Sequence, residues 1–86
     1  MEVEKKTWPE MFEKILLGEK KHEIRLDDFE IKKGDFIVLK EWDPDKKEYT
    51  GREVRKKVGF VTKINRLKYW NEEDINKFGF VVMDLE

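Results

Sequence analysis

The chain has 86 residues, which is enough for one small domain with one cleft and too few for a separate catalytic domain. Charged residues make up 45% of it while the net charge is only −1, so the two signs are interleaved and a generally basic nucleic-acid binder is excluded. With no cysteine and one histidine, disulfides, cysteine nucleophiles and cysteine- or histidine-rich metal sites are excluded as well, and we expect neither metal nor cofactor.

The first predicted elements are a short strand at residues 3–6 and a helix that ends at Gly18. Thr7 and Glu10 have the spacing of a capping box, and Pro9 suits the first helical turn. One helical face is apolar and is assigned to the core. Its members are Trp8, Phe12, Ile15 and Leu16.

After Gly18 the pattern changes to the alternation of a strand over residues 21–26. The prediction places Ile24 and Leu26 in the core, with Glu23 and Arg25 on the opposite face. Lys20 has the wrong parity for that face and is assigned to the preceding turn. The neighbouring His22 is expected near the core or the sheet edge.

Three more strands and a short helix are predicted. The first strand runs from Phe36 to Trp42, and a polar loop at 43–47 leads to a long strand with a bulge at Gly59. A helix begins at Asn71, and residues 80–83 close the fold. The apolar face of the long strand is assigned to Val54, Val58, Phe60 and Ile64. Together, these elements predict one mainly β domain of the α+β class over residues 1–86. Its expected architecture is a curled sheet or small barrel flanked by two short helices.

The segment between helix and strand carries a motif. Gly18, Lys20, Glu23 and Arg25 fill the four fixed positions of the pattern G-x-K-x-x-E-x-R. With the helix before it and Lys33-Gly34-Asp35 opening a strand after it, the chain resembles the ASCH family, a branch of the PUA-like barrels, over nearly its whole length.

The resemblance implies a cleft that binds RNA, a nucleotide or a modified nucleoside, lined by Lys20, Glu23 and Arg25. Some small members are amidohydrolases that deacetylate N4-acetylcytidine with a lysine, a threonine and a glutamate. Lys20 matches that lysine, whereas Glu23 stands where the threonine would be. Glu72 and Glu73 are candidates for the glutamate. We therefore favour binding over catalysis.

Other side chains suit the same ligands. Trp42 and Tyr49, like Tyr69 and Trp70, are placed in or beside loops, where a ring stacks on a base or covers the core. A basic set could contact phosphates or form a solvated face. It consists of Arg52, Arg55, Lys56, Lys57, Lys63, Arg66 and Lys68.

Three functions stay open at this stage. The first is an RNA- or nucleotide-binding module that uses Lys20, Glu23 and Arg25 together with Trp42, Tyr49 and Arg52. The second is a nucleoside amidohydrolase, and the third is a protein-interaction adaptor in transcription or translation. No run approaches the roughly 20 apolar residues of a membrane span, and no signal peptide is evident, so a cytoplasmic protein without membrane contact is expected. The abundance of lysine and glutamate without glutamine is typical of heat-adapted proteins.

Overall fold

A computed structural model describes residues 1–64 and 79–86. The elements within these ranges are β1 (Glu2–Thr7), α1 (Pro9–Leu16), β2 (His22–Leu26), β3 (Phe36–Asp43), β4 (Glu48–Ile64) and β5 (Phe80–Leu85). The predicted mainly β domain of the α+β class is confirmed. The predicted helix from Asn71 and the rings of Tyr69 and Trp70 lie outside the described residues.

The strands form one mixed sheet in the order β1-β3-β4-β5-β2. β1 runs parallel to β3, and the other neighbours are antiparallel. β4 is long enough to pair with β3 through its first part and with β5 through its second part. β1 and β2 are the edges, and no ladder joins them in the described part of the chain, so the sheet is not closed there.

The main core cluster is formed by α1, by the strands β3, β4 and β5, and by the segment that follows β2. Its fully buried side chains include Ile15 from the helix, Ile37 and Leu39 from β3, and Val81 and Met83 from β5. None of the helices in residues 1–64 and 79–86 is long and apolar enough to cross a membrane.

The bulge predicted at Gly59 is present as a register shift between Val58 and Val61. Its consequence for the side chains was predicted wrongly. Val58 is buried as expected, but Phe60 and Ile64 are exposed and Val61 packs against the core instead. The extra residue of a bulge reverses the alternation beyond it, so the face that points inward changes from Phe60 to Val61.

The helix begins one residue later than the capping-box pattern predicts. Trp8 is its N-cap residue and makes no side-chain capping bond, while Thr7 still belongs to β1. The residue before a proline is held extended, and Trp8 has a ψ of 153°, so it does not follow the helical face. Phe12 is buried as predicted, but Trp8 and Leu16 are exposed, contrary to the prediction.

The end of the helix agrees with the prediction. Gly18 has a φ of +78°, a left-handed conformation that glycine adopts without a Cβ penalty. The amide of Gly18 donates to the carbonyl of Ile15 and that of Glu19 to the carbonyl of Lys14. These bonds end the helix and turn the chain towards β2.

The side chains of β2 point in the directions opposite to those predicted. Ile24 is 57% exposed, whereas Glu23 is only 4% exposed. Glu23 lies directly opposite Met83 and Arg25 lies opposite Val81, two core residues of β5. Residues directly opposite each other in an antiparallel pair share a face, so the register turns Glu23 and Arg25 inward and Ile24 outward.

Candidate functional site

A cleft of about 500 Å³ opens between the two edge strands, next to the start of the helix. The end of β1, the first turn of α1, the turn after Gly18 and most of β2 meet there. The lining residues are Lys6, Thr7, Trp8, Met11, Lys20, His22, Glu23, Ile24 and Arg25.

Glu23 forms the floor of the cleft and has both carboxylate oxygens paired. Lys20 Nζ donates to Oε1 at 2.5 Å, and Arg25 Nε donates to Oε2 at 2.9 Å. A buried carboxylate costs several kcal/mol unless it is paired and hydrogen-bonded. The two cations meet this requirement, so the inward-facing Glu23 is stable at the margin of an apolar core.

Lys20 reaches the floor from the turn that precedes β2, as its parity predicted. Its ammonium also donates to the carbonyl oxygen of His22 at 2.5 Å. His22 itself is exposed at the edge of the sheet. The structure therefore brings together the three charged positions of the sequence motif, Lys20, Glu23 and Arg25.

Arg25 also connects the two edges of the sheet. Its Nη2 donates to the carbonyl oxygen of Lys6 at 2.9 Å and to Thr7 Oγ1 at 3.3 Å, both on β1. The guanidinium thus bridges β2 and β1 where no ladder joins them. Nε and Nη2 are engaged in these contacts, and among the described residues Nη1 has no partner, so it is the nitrogen suited to bond a ligand.

The walls of the cleft are apolar and accessible. Trp8 is 61% exposed, and Met11 and Ile24 are exposed beside it. Among the described lining residues, the basic Lys6, Lys20 and Arg25 outnumber the one acidic residue, Glu23, so this part of the cleft is locally positive in a chain whose net charge is −1. An aromatic wall over a positive, hydrogen-bonding floor suits a planar ligand that carries acceptor or anionic groups.

Arg52 was predicted to bind ligand, but it does not line the cleft. It donates from Nε and Nη2 to the buried carboxylate of Glu41, at 2.9 Å each, and from Nη2 to Glu13 on α1 at 2.8 Å. The bond from Arg52, and then that from Thr50, hold the pKa of Glu41 below its usual value, while the carboxylates raise the pKa of Arg52. Arg52 therefore ties the helix to β3 and β4.

Trp42 and Tyr49 face each other across the β3–β4 hairpin. Their rings pack edge to face, with centroids 5.0 Å apart and an interplanar angle of 79°. Neither ring lines the cleft. Lys6, which does, places its Nζ 3.8 Å from the centroid of Trp42. The aromatic pair is thus adjacent to the cleft through Lys6.

The predicted basic stripe is interrupted by acids. Arg55 pairs with Glu2 at 2.6 Å and also covers the ring of Phe36, and Lys63 lies 3.6 Å from Asp27. Arg66 and Lys68 are outside the described residues. The described members therefore form a surface of mixed charge.

The cleft also contains residues that were assigned to other roles. Thr7 and Trp8 were placed in the helix cap and the core, and Lys6 and Met11 received no role. The pair Trp8-Pro9 did indicate that Trp8 leaves the helical face, because the residue before a proline is biased to an extended conformation. For Lys6 and Met11 the sequence offers no comparable signal. Within residues 1–64 and 79–86, no group of three or more acidic or histidine side chains is placed to hold a metal ion.

Comparison with known proteins supports the fold and is silent on chemistry. A family described as a domain of unknown function (DUF3850) matches residues 4–85. A solved structure, the crystal structure of hypothetical protein PH0355, is similar at 23% identity and a TM-score of 0.74, covering 100% of this chain and 98% of that one. That likeness shows a shared fold. No curated protein matches the sequence.

Proposed function

We propose that this chain, which belongs to the DUF3850 family of domains of unknown function, is a binding module for RNA or a nucleotide. The observation that carries the proposal is the composition of the cleft. A buried carboxylate is fixed between Lys20 and Arg25 on its floor, and an exposed tryptophan forms its wall.

A related proposal concerns the finer fold. The ASCH-like motif and a sheet whose edge strands approach each other at Arg25 support a PUA-like relationship, in which the curled sheet approaches a barrel. The bridge from Arg25 to Lys6 and Thr7 spans the gap that a barrel would close. This relationship is the reason to favour RNA or a nucleotide over other planar ligands.

The chemistry follows from the free groups in the cleft. A base stacked on the Trp8 ring would gain roughly 1–3 kcal/mol, as aromatic stacking on single strands does. Arg25 Nη1 and the Lys20 ammonium would donate to a base carbonyl or a phosphate oxygen. Glu23 would hold these two donors in place, since its own oxygens already accept from them.

Binding of the four ribonucleoside monophosphates and of short single-stranded RNA, measured by calorimetry, tests the proposal. Trp8→Ala should weaken binding about 5- to 150-fold by loss of stacking. Arg25→Ala should weaken it as well. Phe60→Ala and Arg55→Ala are matched controls, because both side chains are exposed and neither lines the cleft. The proposal fails if no ligand binds, or if the Trp8 variant binds like the parent.

One observation favours a second function, hydrolysis of a modified nucleoside such as N4-acetylcytidine. It is the contact between the Lys20 ammonium and the Glu23 carboxylate, with the Thr7 hydroxyl in the same cleft. Water would add to the amide carbonyl, the C–N bond would break and the amine would take up a proton, giving cytidine and acetate. Glu72 and Glu73, the candidates for a third residue, lie outside the described residues.

Incubation with N4-acetylcytidine and chromatography of the products separates the two functions. Cytidine formed by the parent and not by Lys20→Ala would establish the hydrolase. Absence of cytidine at high protein concentration would remove it. A protein-interaction adaptor has less support, because its expected mark was an exposed apolar or aromatic patch at the 42–49 hairpin with no preserved cleft, whereas a cleft is present beside Glu23.

A further inference from the structure

We infer that the cleft is the first of two adjacent nucleotide sites, and that the second is the face of the hairpin that carries Tyr49. The ligand would then be a single-stranded segment of at least two nucleotides rather than a free mononucleotide. This inference rests on the proposed function, since it places a second base beside the one bound over Trp8.

Lys6 is the residue that links the two sites. It lines the cleft, and its Nζ also lies 3.8 Å from the centroid of Trp42 and 5.9 Å from that of Tyr49. Its backbone carbonyl accepts from Arg25 at 2.9 Å, which fixes this end of β1 against the cleft floor. Lys6 thus lines the cleft as a residue and holds its ammonium on the aromatic pair beside it, a position suited to the phosphate that joins two successive nucleotides.

Tyr49 is the ring available to the second base. It is 47% exposed, whereas Trp42 is half-buried and has Lys6 against its ring. The edge-to-face contact with Trp42 holds Tyr49 in one orientation, so little ordering is needed when a base stacks on it. Trp42 is therefore a supporting residue in the second site.

The charges around the hairpin limit the length of the nucleic-acid segment that this surface can bind. Lys40 lies near the Tyr49 ring but also forms an ion pair with Glu4, at 3.5 Å. Asp43 and Glu48 are opposite each other at the next pair of the β3–β4 ladder. A backbone that continued past Tyr49 would meet these carboxylates. We therefore expect a footprint of two nucleotides, with one principal phosphate contact at Lys6.

The test compares each ribonucleoside monophosphate with the dinucleotides that contain it, using calorimetry and the indole N–H signals of the tryptophans. A dinucleotide should bind at least about fivefold more tightly than its monophosphate, given the usual contribution of one stacked base. The monophosphate should shift the Trp8 signal, and the dinucleotide should shift the signals of both Trp8 and Trp42.

Substitutions test whether the hairpin is the source of the higher affinity for the dinucleotide. Tyr49→Ala should abolish the advantage of the dinucleotide and leave monophosphate affinity unchanged, and Phe60→Ala, another exposed aromatic on β4, should alter neither. Lys6→Gln should reduce the salt dependence of dinucleotide binding by about 0.7 in log–log slope, the value for one phosphate on a single strand. Lys33→Gln, an exposed lysine away from the cleft lining, is its control.

The outcomes separate the two proposals. Equal affinity for monophosphate and dinucleotide, or a gain that survives Tyr49→Ala, overturns the second site and leaves the proposed function standing. Absence of binding by every monophosphate and every dinucleotide overturns both. A deoxydinucleotide with the same gain supports the second site and extends the ligand to single-stranded nucleic acid of either sugar.

Discussion

Replacement of Glu23 by glutamine tests whether the carboxylate on the cleft floor is held by its two cations. Glutamine keeps the shape of the side chain and removes its charge. One end then presents an N–H group to Lys20 or Arg25, so a donor faces a donor. Hydrogen bonds to charged groups contribute about 1.5–3 kcal/mol each, and Glu23 accepts two of them.

The exposure of the partners reduces the expected cost. The side chains of Lys20 and Arg25 are 18% and 26% exposed, so both regain part of their hydration when the carboxylate is lost. We therefore expect Glu23→Gln to lower the free energy of unfolding by about 2–3 kcal/mol, below the 3–5 kcal/mol typical when one member of a fully buried pair is removed.

Urea unfolding followed by tryptophan fluorescence measures this change. An m-value of about 1 kcal/mol/M, usual for a small domain, converts it into a fall of roughly 2–3 M in the midpoint. Glu19→Gln is the matched control, because Glu19 pairs with Lys14 at 3.5 Å on the open surface. Exposed pairs contribute less than about 1 kcal/mol, so its midpoint should change little.

A double-mutant cycle with Lys20→Met separates the pair from the rest of the network. Directly contacting residues have coupling energies of about 0.5–3 kcal/mol, and we expect at least 1 kcal/mol here. The reasoning is refuted if Glu23→Gln has the stability of Glu19→Gln, or if the two changes at the cleft are additive. Either result would mean that the inward-facing carboxylate does not depend on its cations.

Three further predictions concern other parts of the molecule. The lowered pKa of Glu41 means that its carboxylate stabilises the fold above the ordinary value of 4.5 and that this contribution is lost as the pH falls through the lowered pKa. Glu41→Gln should therefore reduce the loss of unfolding free energy between about pH 5 and pH 2, and an unchanged pH profile would contradict this. Gly18→Ala should cost about 1–2 kcal/mol in urea, because its φ is +78° even though space for a Cβ exists, and a neutral result would oppose the helix-stop role. Trp8→Ala should change stability by less than about 0.5 kcal/mol, because Trp8 is exposed, and a large loss would place it in the core instead.

Local patterns were sufficient to predict most of the elements. The strand that includes Ile24, the stop at Gly18, the strand from Phe36 to Trp42 and the bulge at Gly59 all depend on interactions within a few residues. Alternation and glycine conformation are properties of the nearby chain, so a single sequence can indicate them. The same alternation predicted that Glu23 and Arg25 share one face.

The alternation of apolar and charged residues could not show which face of β2 points inward. Apolar Ile24 was assigned to the core by composition, but the pairing of β2 with β5 turns Glu23 towards Met83 and Ile24 towards solvent. That pairing joins segments almost sixty residues apart in sequence. An inward carboxylate becomes favourable only when Lys20 and Arg25 are both positioned to neutralise it.

The sequence by itself therefore determined the motif, the helix stop and the strands that carry the candidate site. Only the tertiary structure decided that Trp8 forms a wall of the cleft, that Arg52 is occupied by Glu41 and that Lys6 joins the cleft to the Trp42–Tyr49 pair. These contacts depend on strand order and on the bridge from Arg25 to β1. Both are set by long-range packing, which local residue patterns do not encode.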